Sequence, residues 1–192
     1  MRLENGWISG VRRVPSPHCD ERPNGEAPSL LVIHNISLPP GVFGGPYIDQ
    51  LFSGTLSADE HPFFAEIQGL KVSAHCLIRR DGEIVQYVPF HRRAWHAGVS
   101  RFAGRERCND FSVGIELEGA DDRPYAETQY QRLAGVTRLL MRCYPITPER
   151  ITGHSDIAPA RKTDPGPAFL WHHYRQLLSV GTEDADREIQ GS

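Results

Sequence analysis

Ser29-Leu30-Leu31-Val32-Ile33-His34 is a short apolar run that ends in two β-branched residues and a histidine. A continuous apolar run of this length, preceded by turn-forming residues, is typical of a strand buried on both faces of a sheet. His34 is then expected where the strand meets its loop. Catalytic and ligand residues concentrate in such loops, so the end of this strand is the first candidate site.

Two further stretches extend the predicted sheet. Residues Cys76–Val88 form two strand-like runs around Asp81-Gly82, which predicts a hairpin because glycine tolerates the positive φ of a tight turn. Residues Phe111–Glu118 alternate in polarity, so that Glu116 and Glu118 share one face of a strand and the apolar residues share the other. A short strand is also predicted at 151–154.

Helical periodicity supplies the other layers. Residues Thr128–Tyr144 place apolar side chains at helical spacing until Pro145 stops the run, and Phe169–Leu178 can form a closing helix. Shorter helices are predicted near 47–53 and 62–69. The pattern predicts an α/β protein with a mixed central β-sheet flanked by helices and long loops around the site.

The chain has 192 residues, which corresponds to one domain. We expect an irregular N-terminal arm at 1–28 packed on the domain, a catalytic domain at 29–180 and an acidic flexible tail at 181–192. The tail holds four acids and one arginine and accounts for the whole formal charge of −3. The neutral remainder argues against a nucleic-acid binder, and no apolar run approaches the roughly 20 residues that span a bilayer. We therefore expect a monomer without nucleic-acid or membrane partners.

The cysteines at positions 19, 76, 108 and 143 show neither a CxxC spacing nor a dense framework. They are interpreted as reduced thiols. The N-terminal sequence MRLENGWISGVRRV has no apolar core of the kind that a secretory signal requires. The expected location is the cytoplasm.

A candidate metal site follows from the histidines at predicted strand ends. Of nine histidines, His34 and His154 stand at such positions, and Asp164 precedes Pro165, which favours an extended backbone in its loop. Two imidazoles and one carboxylate are a common ligand set for catalytic zinc, with the fourth position left for water. A domain of this size folds without a metal, so a bound metal is expected to be functional.

Five blocks of the sequence carry a family resemblance. They are LLVIHNISLPPG at 30–41, SAHCLIRRDGEIVQYVPF at 73–90, RAWHAGVS at 93–100, CNDFSVGIELEG at 108–119 and GHSDIAPARKTDPG at 153–166. In this order they resemble the zinc-dependent N-acetylmuramoyl-L-alanine amidases, and in particular those that trim 1,6-anhydro-muropeptides in the cytoplasm during cell-wall recycling. The similarity covers about residues 7–178.

The resemblance implies the fold shared with peptidoglycan-recognition proteins and one zinc ion per chain, held by His34, His154 and Asp164. It also implies Glu116 as the general acid and base, and Lys162 as the group that stabilises the developing oxyanion. The implied reaction is hydrolysis of the amide between the lactyl group of N-acetylmuramic acid, in its anhydro form or not, and L-alanine. From the alternation alone, the choice between Glu116 and Glu118 stays open.

The resemblance further implies contacts to the muropeptide by Asn35, Lys71, Trp95 and Arg107. Lysine stands at position 71 where arginine is expected, and Ser155 stands where cysteine often occurs. Lysine lacks the planar fork that grips a carboxylate with two hydrogen bonds. His75 and His96 lie within matching blocks, and their roles stay open between packing and support of the site.

The segment Arg79–Arg107 carries seven arginines against three acids, a net charge of +4. One interpretation is a solvated surface. The other is a rim that recognises a small anionic ligand, which would suit the carboxylates of a peptide stem.

Two alternative functions were weighed. The pair His154 and Asp156, with His172 or His173 as a distant third ligand, could form the facial triad of a non-haem iron oxygenase, but no strands for the usual β-roll intervene. A non-catalytic muropeptide-binding sensor on the same fold would be expected to lack a metal ligand or Glu116, and all are present.

Overall fold

The computed structural model describes residues 1–190, with side chains described to residue 180. Its strands are β1 (Leu3–Glu4), β2 (Trp7–Ile8), β3 (Arg12–Arg13), β4 (Cys19–Asp20), β5 (Leu30–Ile36), β6 (Cys76–Ile78), β7 (Ile84–Gln86), β8 (Arg93–Ala94), β9 (Arg101–Phe102), β10 (Arg105–Glu106), β11 (Ser112–Glu118) and β12 (Ile151–Gly153). Its α-helices are α1 (Tyr47–Ser53), α2 (Phe64–Ile67), α3 (Glu127–Cys143), α4 (His154–Ile157) and α5 (Trp171–Gln190).

Six strands form a central mixed sheet in the order β12-β5-β11-β6-β7-β3. The four strands from β12 to β6 run parallel, β6 and β7 form the predicted antiparallel hairpin, and β3 closes the edge parallel to β7. The predicted fold class, a mixed central sheet flanked by helices, is confirmed. The carboxyl ends of β5, β11 and β12 meet at one edge, where ligands usually bind in open α/β sheets.

The two faces of the sheet bury different groups. Leu31 and Ile115 pack into the main core with α3 and α5, whereas Val32 belongs to a smaller cluster on the other face. Because side chains alternate along a strand, His34 and Glu116 also lie on that second face, away from α3. The helices α1 and α2 pack against the hairpin strands.

The N-terminal arm contains more regular structure than the sequence indicated. Two-residue strands β1 to β4 lie within it, β3 extends the central sheet beside β7, and β4 pairs with β8. Strands of two residues show no periodicity, so local sequence could not predict them. Their pairing partners lie more than 70 residues away in the cases of β3 and β4.

The C-terminal helix α5 runs past the predicted Leu178 to Gln190. Its backbone therefore enters the predicted acidic tail at 181–192, of which residues 191–192 lie outside the described residues. The flexibility of that tail stays a prediction. Within the described residues, no helix combines the length and the apolar character needed to cross a bilayer.

Candidate active site

The structure brings His34, His154 and Asp164 together at the carboxyl edge of the sheet. Parallel pairing places Gly153 of β12 opposite Ile33 of β5, so the next residue of each chain segment is a ligand histidine. The two Nδ1 atoms are 3.0 Å apart, and Asp164 Oδ2 lies 3.0 Å from His34 Nδ1 and 3.1 Å from His154 Nδ1. Three residues that are distant in sequence thus form one compact group.

The geometry of this group fits a divalent metal such as zinc. Ligand atoms around tetrahedral zinc, at bond lengths of about 2.0–2.1 Å, are separated by about 3.3 Å, close to the nearly equilateral triangle seen here. The two histidines are buried and the aspartate is half-buried. Three donors on one side also leave a fourth position for water or substrate.

The protonation states suit metal ligands. Burial lowers the pKa of His34 to about 4, because the charged imidazolium is poorly solvated there. Burial alone would raise the pKa of Asp164, but hydrogen bonds from His154 and His34 outweigh it and hold that pKa below its ordinary range. A neutral imidazole and an ionised carboxylate are the forms that bind metal.

The two glutamates of β11 have opposite environments. Glu118 accepts hydrogen bonds from the amides of Gly44 and Arg80, at 2.6 and 3.1 Å, and pairs with Arg79. Glu116 stands opposite His34 in the parallel register, is 8% exposed, and its Oε2 is buried without a hydrogen-bond partner among the described residues. Only Glu116 therefore has a carboxylate free to act next to the metal ligands.

Charge surrounding Glu116 sets its proton affinity. Burial raises the pKa of Glu116 well above its ordinary value, and the charge of Asp164 adds to the increase. The positive charge of Lys162 lowers the pKa of Glu116 and so opposes the increase. The same charge also lowers the pKa of His34. Lys162 thus acts electrostatically on both groups, and its catalytic role stays a prediction.

Trp95 and Arg107 line one cavity of about 350 Å³, whose other lining residues include Asp20, Arg93 and Asp110. Trp95 Nε1 donates to Asp20, and the indole stacks on His18. Arg107 has a left-handed backbone and an exposed side chain that pairs with Asp110 at 3.2 Å. The structure therefore brings two of the four predicted substrate contacts to the same cavity.

Asn35 and Lys71 are placed differently. Both Nδ2 hydrogens of Asn35 are engaged, by Asp121 at 2.8 Å and by the Pro165 carbonyl at 3.1 Å. Lys71 is exposed in the irregular segment between α2 and β6. The substrate contacts of both residues stay predictions.

The arginines of segment Arg79–Arg107 are largely neutralised by acids from elsewhere. Within the described residues, six of the seven form ion pairs, and Arg80 instead lies over the ring of Phe43. Five of these arginines have partners that include acids outside the segment, namely Asp20, Glu21, Glu26, Asp49, Asp110 and Glu118. The free positive charge is therefore smaller than the sequence count of +4.

The iron-triad alternative is not supported by the geometry. Asp156 caps α4, because its Oδ2 accepts from Thr152 Oγ1 at 2.8 Å and from the Gly153 amide at 3.0 Å. His173 contacts Glu127 on α3 instead. Among the described residues, the group that could hold a metal consists of His34, His154 and Asp164.

Sequence reasoning left His96 without a role and did not single out Gly114. The His96 ring occupies the space above Gly114, where an added Cβ would collide with it. His96 Nδ1 lies 2.9 Å from His34 Nε2, so this ring directly contacts a metal ligand. A glycine inside a strand commonly marks a place where another group approaches the backbone closely. Gly114 was therefore the sequence feature that could have indicated a packed ring at this position.

Comparison with known proteins agrees with this site. The profile of the N-acetylmuramoyl-L-alanine amidase family matches residues 24–167. The 1,6-anhydro-N-acetylmuramyl-L-alanine amidase AmpD of Escherichia coli K12 is 68% identical over 182 residues, covering 95% of this chain and all of that protein. The enzyme of the same name from Haemophilus influenzae is 56% identical, covering 90% of this chain and 94% of its own.

Solved structures of amidases are also similar to this chain. A crystal structure of a selenomethionine AmpD derivative superposes with a TM-score of 0.91 at 65% identity, covering 93% of this chain and 99% of that one. The amidase AmiD of E. coli, solved as a complex with anhydro-N-acetylmuramic acid-L-Ala-D-gamma-Glu-L-Lys, is 31% identical with a TM-score of 0.58, covering 82% of this chain and 60% of that one. By sequence, fold and the grouping of its strand-end residues, the chain belongs to the N-acetylmuramoyl-L-alanine amidase family.

Proposed function

We propose that the protein hydrolyses the amide bond between the lactyl group of 1,6-anhydro-N-acetylmuramic acid and L-alanine in muropeptides, with one zinc ion held by His34, His154 and Asp164. The observation that carries this proposal is the buried Glu116 carboxylate, whose Oε2 has no hydrogen-bond partner in the described part of the chain and which lies beside three side chains that could hold a metal ion. A purely structural glutamate would be paired at this depth, as Glu118 is.

Zinc, when bound, supplies Lewis-acid polarisation of the scissile carbonyl and lowers the pKa of water toward about 7. His34 and His154 would hold the ion through Nδ1, because Nε2 of each is engaged in a hydrogen bond within the protein. The two histidines follow the ends of two paired parallel strands, so the register of these strands sets the distance between the two ligand nitrogens.

Glu116 is proposed to move the proton. Its raised pKa means that the carboxylate accepts a proton from the attacking water readily and holds it until the leaving nitrogen is ready. The departing alanine amine would then receive that proton. A single group acts first as base and then as acid, so no second carboxylate is required.

Lys162 is proposed to stabilise the negative oxygen that develops on the tetrahedral intermediate. The electrostatic effect of its charge on Glu116 and His34 supports this role. A fixed positive charge in a site shielded from water stabilises an oxyanion more strongly than the same charge in bulk solvent.

Substrate recognition is proposed to involve Trp95 and Arg107 on the walls of their shared cavity, with Asn35 and Lys71 as further contacts. The indole offers a flat apolar face to the sugar, and the guanidinium offers a charge to the carboxylates of the stem peptide. AmiD, a relative by fold, was solved with such a muropeptide bound.

All proposed catalytic residues come from one chain, so we propose that a monomer is sufficient for activity. The four cysteines are free, which agrees with a reducing compartment and with a cytoplasmic role in cell-wall recycling. Oxidising conditions would not be needed for the fold.

The proposal is tested by digesting a defined anhydro-muropeptide beside its reducing-sugar counterpart and measuring product masses. Anhydro-N-acetylmuramic acid and a free peptide beginning with L-alanine are the expected products. The variant Glu116→Gln serves as the control for contaminating amidase. Binding of the muropeptide without cleavage by the wild-type protein would favour the sensor alternative, and cleavage of neither substrate would overturn the assignment.

A further inference from the structure

The Nε2 atoms of the two proposed ligand histidines contact consecutive residues of one segment. His34 Nε2 lies 2.9 Å from His96 Nδ1, and His154 Nε2 lies 3.1 Å from the carbonyl oxygen of Ala97. The first contact is part-buried and the second is buried, and both leave Nδ1 facing Asp164. The orientation of two rings from different strands therefore depends on a single short stretch of chain.

Side-chain hydrogen bonds hold that stretch: Arg161 donates to the Ala97 carbonyl at 2.7 Å, and Asn109 bonds to the backbone of both supporting residues. Asn109 Oδ1 accepts a hydrogen bond from the amide of His96 at 3.1 Å and another from the amide of Ala97 at 2.8 Å. The neighbouring Trp95 amide donates to Ser73 Oγ at 3.1 Å. Asn109 thus holds the backbone of both residues that support the ligands.

The hydrogen-bond directions are set by elimination. With zinc bound, His34 Nδ1 would carry no hydrogen, so His34 Nε2 would carry it and donate to His96 Nδ1. His96 must then carry its own hydrogen on Nε2, which donates to Ser112 Oγ at 3.0 Å. His96 is consequently neutral and acts as an acceptor toward His34, in the position usually taken by a carboxylate or a carbonyl.

We propose that His96 is a positioning residue for the metal centre, and that Asn109 positions His96 and Ala97 together. This inference rests on the proposed metal site. It assigns to His96 the selection of the His34 tautomer and of the ring orientation that binds zinc. Loss of such a partner typically weakens metal affinity about 10- to 100-fold.

The test measures zinc affinity by competition with a chromophoric chelator, together with thermal unfolding of the metal-free proteins. His96→Ala is expected to weaken zinc binding about 10- to 100-fold, since His34 loses its acceptor. His96→Asn is expected to restore most of the affinity, because the amide oxygen of asparagine lies near the position of Nδ1. In the cobalt-substituted protein, His96→Ala should also change the visible d–d spectrum, and His96→Asn should change it less.

The matched control is His75→Asn. His75 is fully buried, and its ring lies edge-on to that of His96 with centroids 5.9 Å apart, but its nitrogens contact Gly114, Arg92 and Arg22 rather than a ligand. Its substitution should lower stability without weakening zinc binding. Asn109→Ala is a second test of the inference, because it removes the hydrogen bonds that hold residues 96 and 97 but keeps the His96 side chain. We expect it to weaken zinc binding less than His96→Ala does.

Wild-type zinc affinity in His96→Ala would overturn the inference while leaving the proposed function intact. Should His96→Ala fail to fold, wild-type affinity in Asn109→Ala would overturn it instead. An equal loss of affinity in His75→Asn would assign the effect to core damage and would also overturn it. Failure of the wild-type protein to bind zinc would remove both this inference and the proposed metal centre.

Discussion

The carboxyl edge of the sheet and the arginine-rich segment 79–107 were both candidate functional regions, and they differ in how their charges are used. At the sheet edge, His34, His154 and Asp164 face one another, and Glu116 has a carboxylate oxygen that no described residue hydrogen-bonds. In the segment, the arginines are mostly paired with acids from other parts of the chain. Unused bonding capacity, rather than formal charge, separates a reactive site from a structural surface.

Removal of zinc should have the largest effect. Chelation is expected to abolish amide hydrolysis without unfolding the domain, because the hydrophobic core is large enough alone. Turnover, circular dichroism and thermal unfolding measured before and after dialysis against a chelator check this, and added zinc should restore activity. Full activity after verified metal removal would show that the metal site at the sheet edge is not the reacting centre, and the contrast with segment 79–107 would then be wrong.

Glu116→Ala should lower turnover by about two to four orders of magnitude, the usual range for a proton-transfer group. Zinc affinity and substrate affinity should stay near those of the wild-type protein. Steady-state kinetics and metal titration measure both.

Glu118→Ala is the matched control for Glu116→Ala. It removes the acceptor of the Gly44 and Arg80 amides and the partner of Arg79, so it should cost about 1–3 kcal/mol in the free energy of unfolding. Turnover at a temperature where the variant is folded should remain. If Glu118→Ala instead stopped turnover and Glu116→Ala did not, the roles of the two glutamates would be reversed.

Acid should destabilise the metal-free protein through the buried histidines near the sheet edge. Burial lowers the pKa of His75 to about 3, so below pH 6.5 the unfolded chain binds a proton that the folded chain does not. The free energy of unfolding should therefore fall as the pH decreases from 6.5 toward 3, by at most about 1.4 kcal/mol per pH unit for each such histidine.

Urea unfolding of the metal-free protein at several pH values measures this slope. His75→Asn removes one titrating group and keeps an acceptor for the Gly114 amide, so its slope should be shallower. An unchanged slope would mean that His75 does not contribute to the acid sensitivity.

The sequence predicted the sheet edge better than its surroundings. Apolar runs and alternation located β5 and β11, and the amidase resemblance named Glu116, but alternation could not separate it from Glu118. The difference arises from Gly44, Arg79 and Arg80, whose positions depend on tertiary packing. The two-residue strands β3 and β4 were missed for the same reason, since their pairing partners lie far along the chain. The strands β1 and β2 instead pair with each other across Asn5-Gly6, a local hairpin signal.

The residues that support the proposed metal ligands also could not be predicted from local sequence. Nothing near His96 indicates that its ring contacts His34, which lies 62 residues away. Asn109 acts through the amides of residues 96 and 97, an interaction that only the folded chain creates. Gly114 alone gave a clue, because a glycine in a strand commonly marks close packing.

Arg107→Ala should produce the smallest kinetic effect and tests whether segment 79–107 takes part in binding. Arg107 is the arginine of that segment with the most exposed side chain among the ion pairs, at 73%, and it lines the cavity with Trp95. A contact made equally in the ground and transition states changes the Michaelis constant and not turnover. We expect the Michaelis constant to rise by up to about fivefold, and the effect to shrink at high salt.

The control variant and a shortened substrate complete this last test. Lys71→Ala should change the Michaelis constant less than about twofold, because an exposed ammonium is strongly hydrated and forms weak pairs. Lys71→Arg should match or tighten binding, since its fork can grip a carboxylate. On a substrate whose stem is alanine alone, the Arg107→Ala effect should vanish. An equal loss on both substrates would place Arg107 against the sugar or in support of the fold, and segment 79–107 would then be a solvated, internally paired surface without a role in peptide recognition.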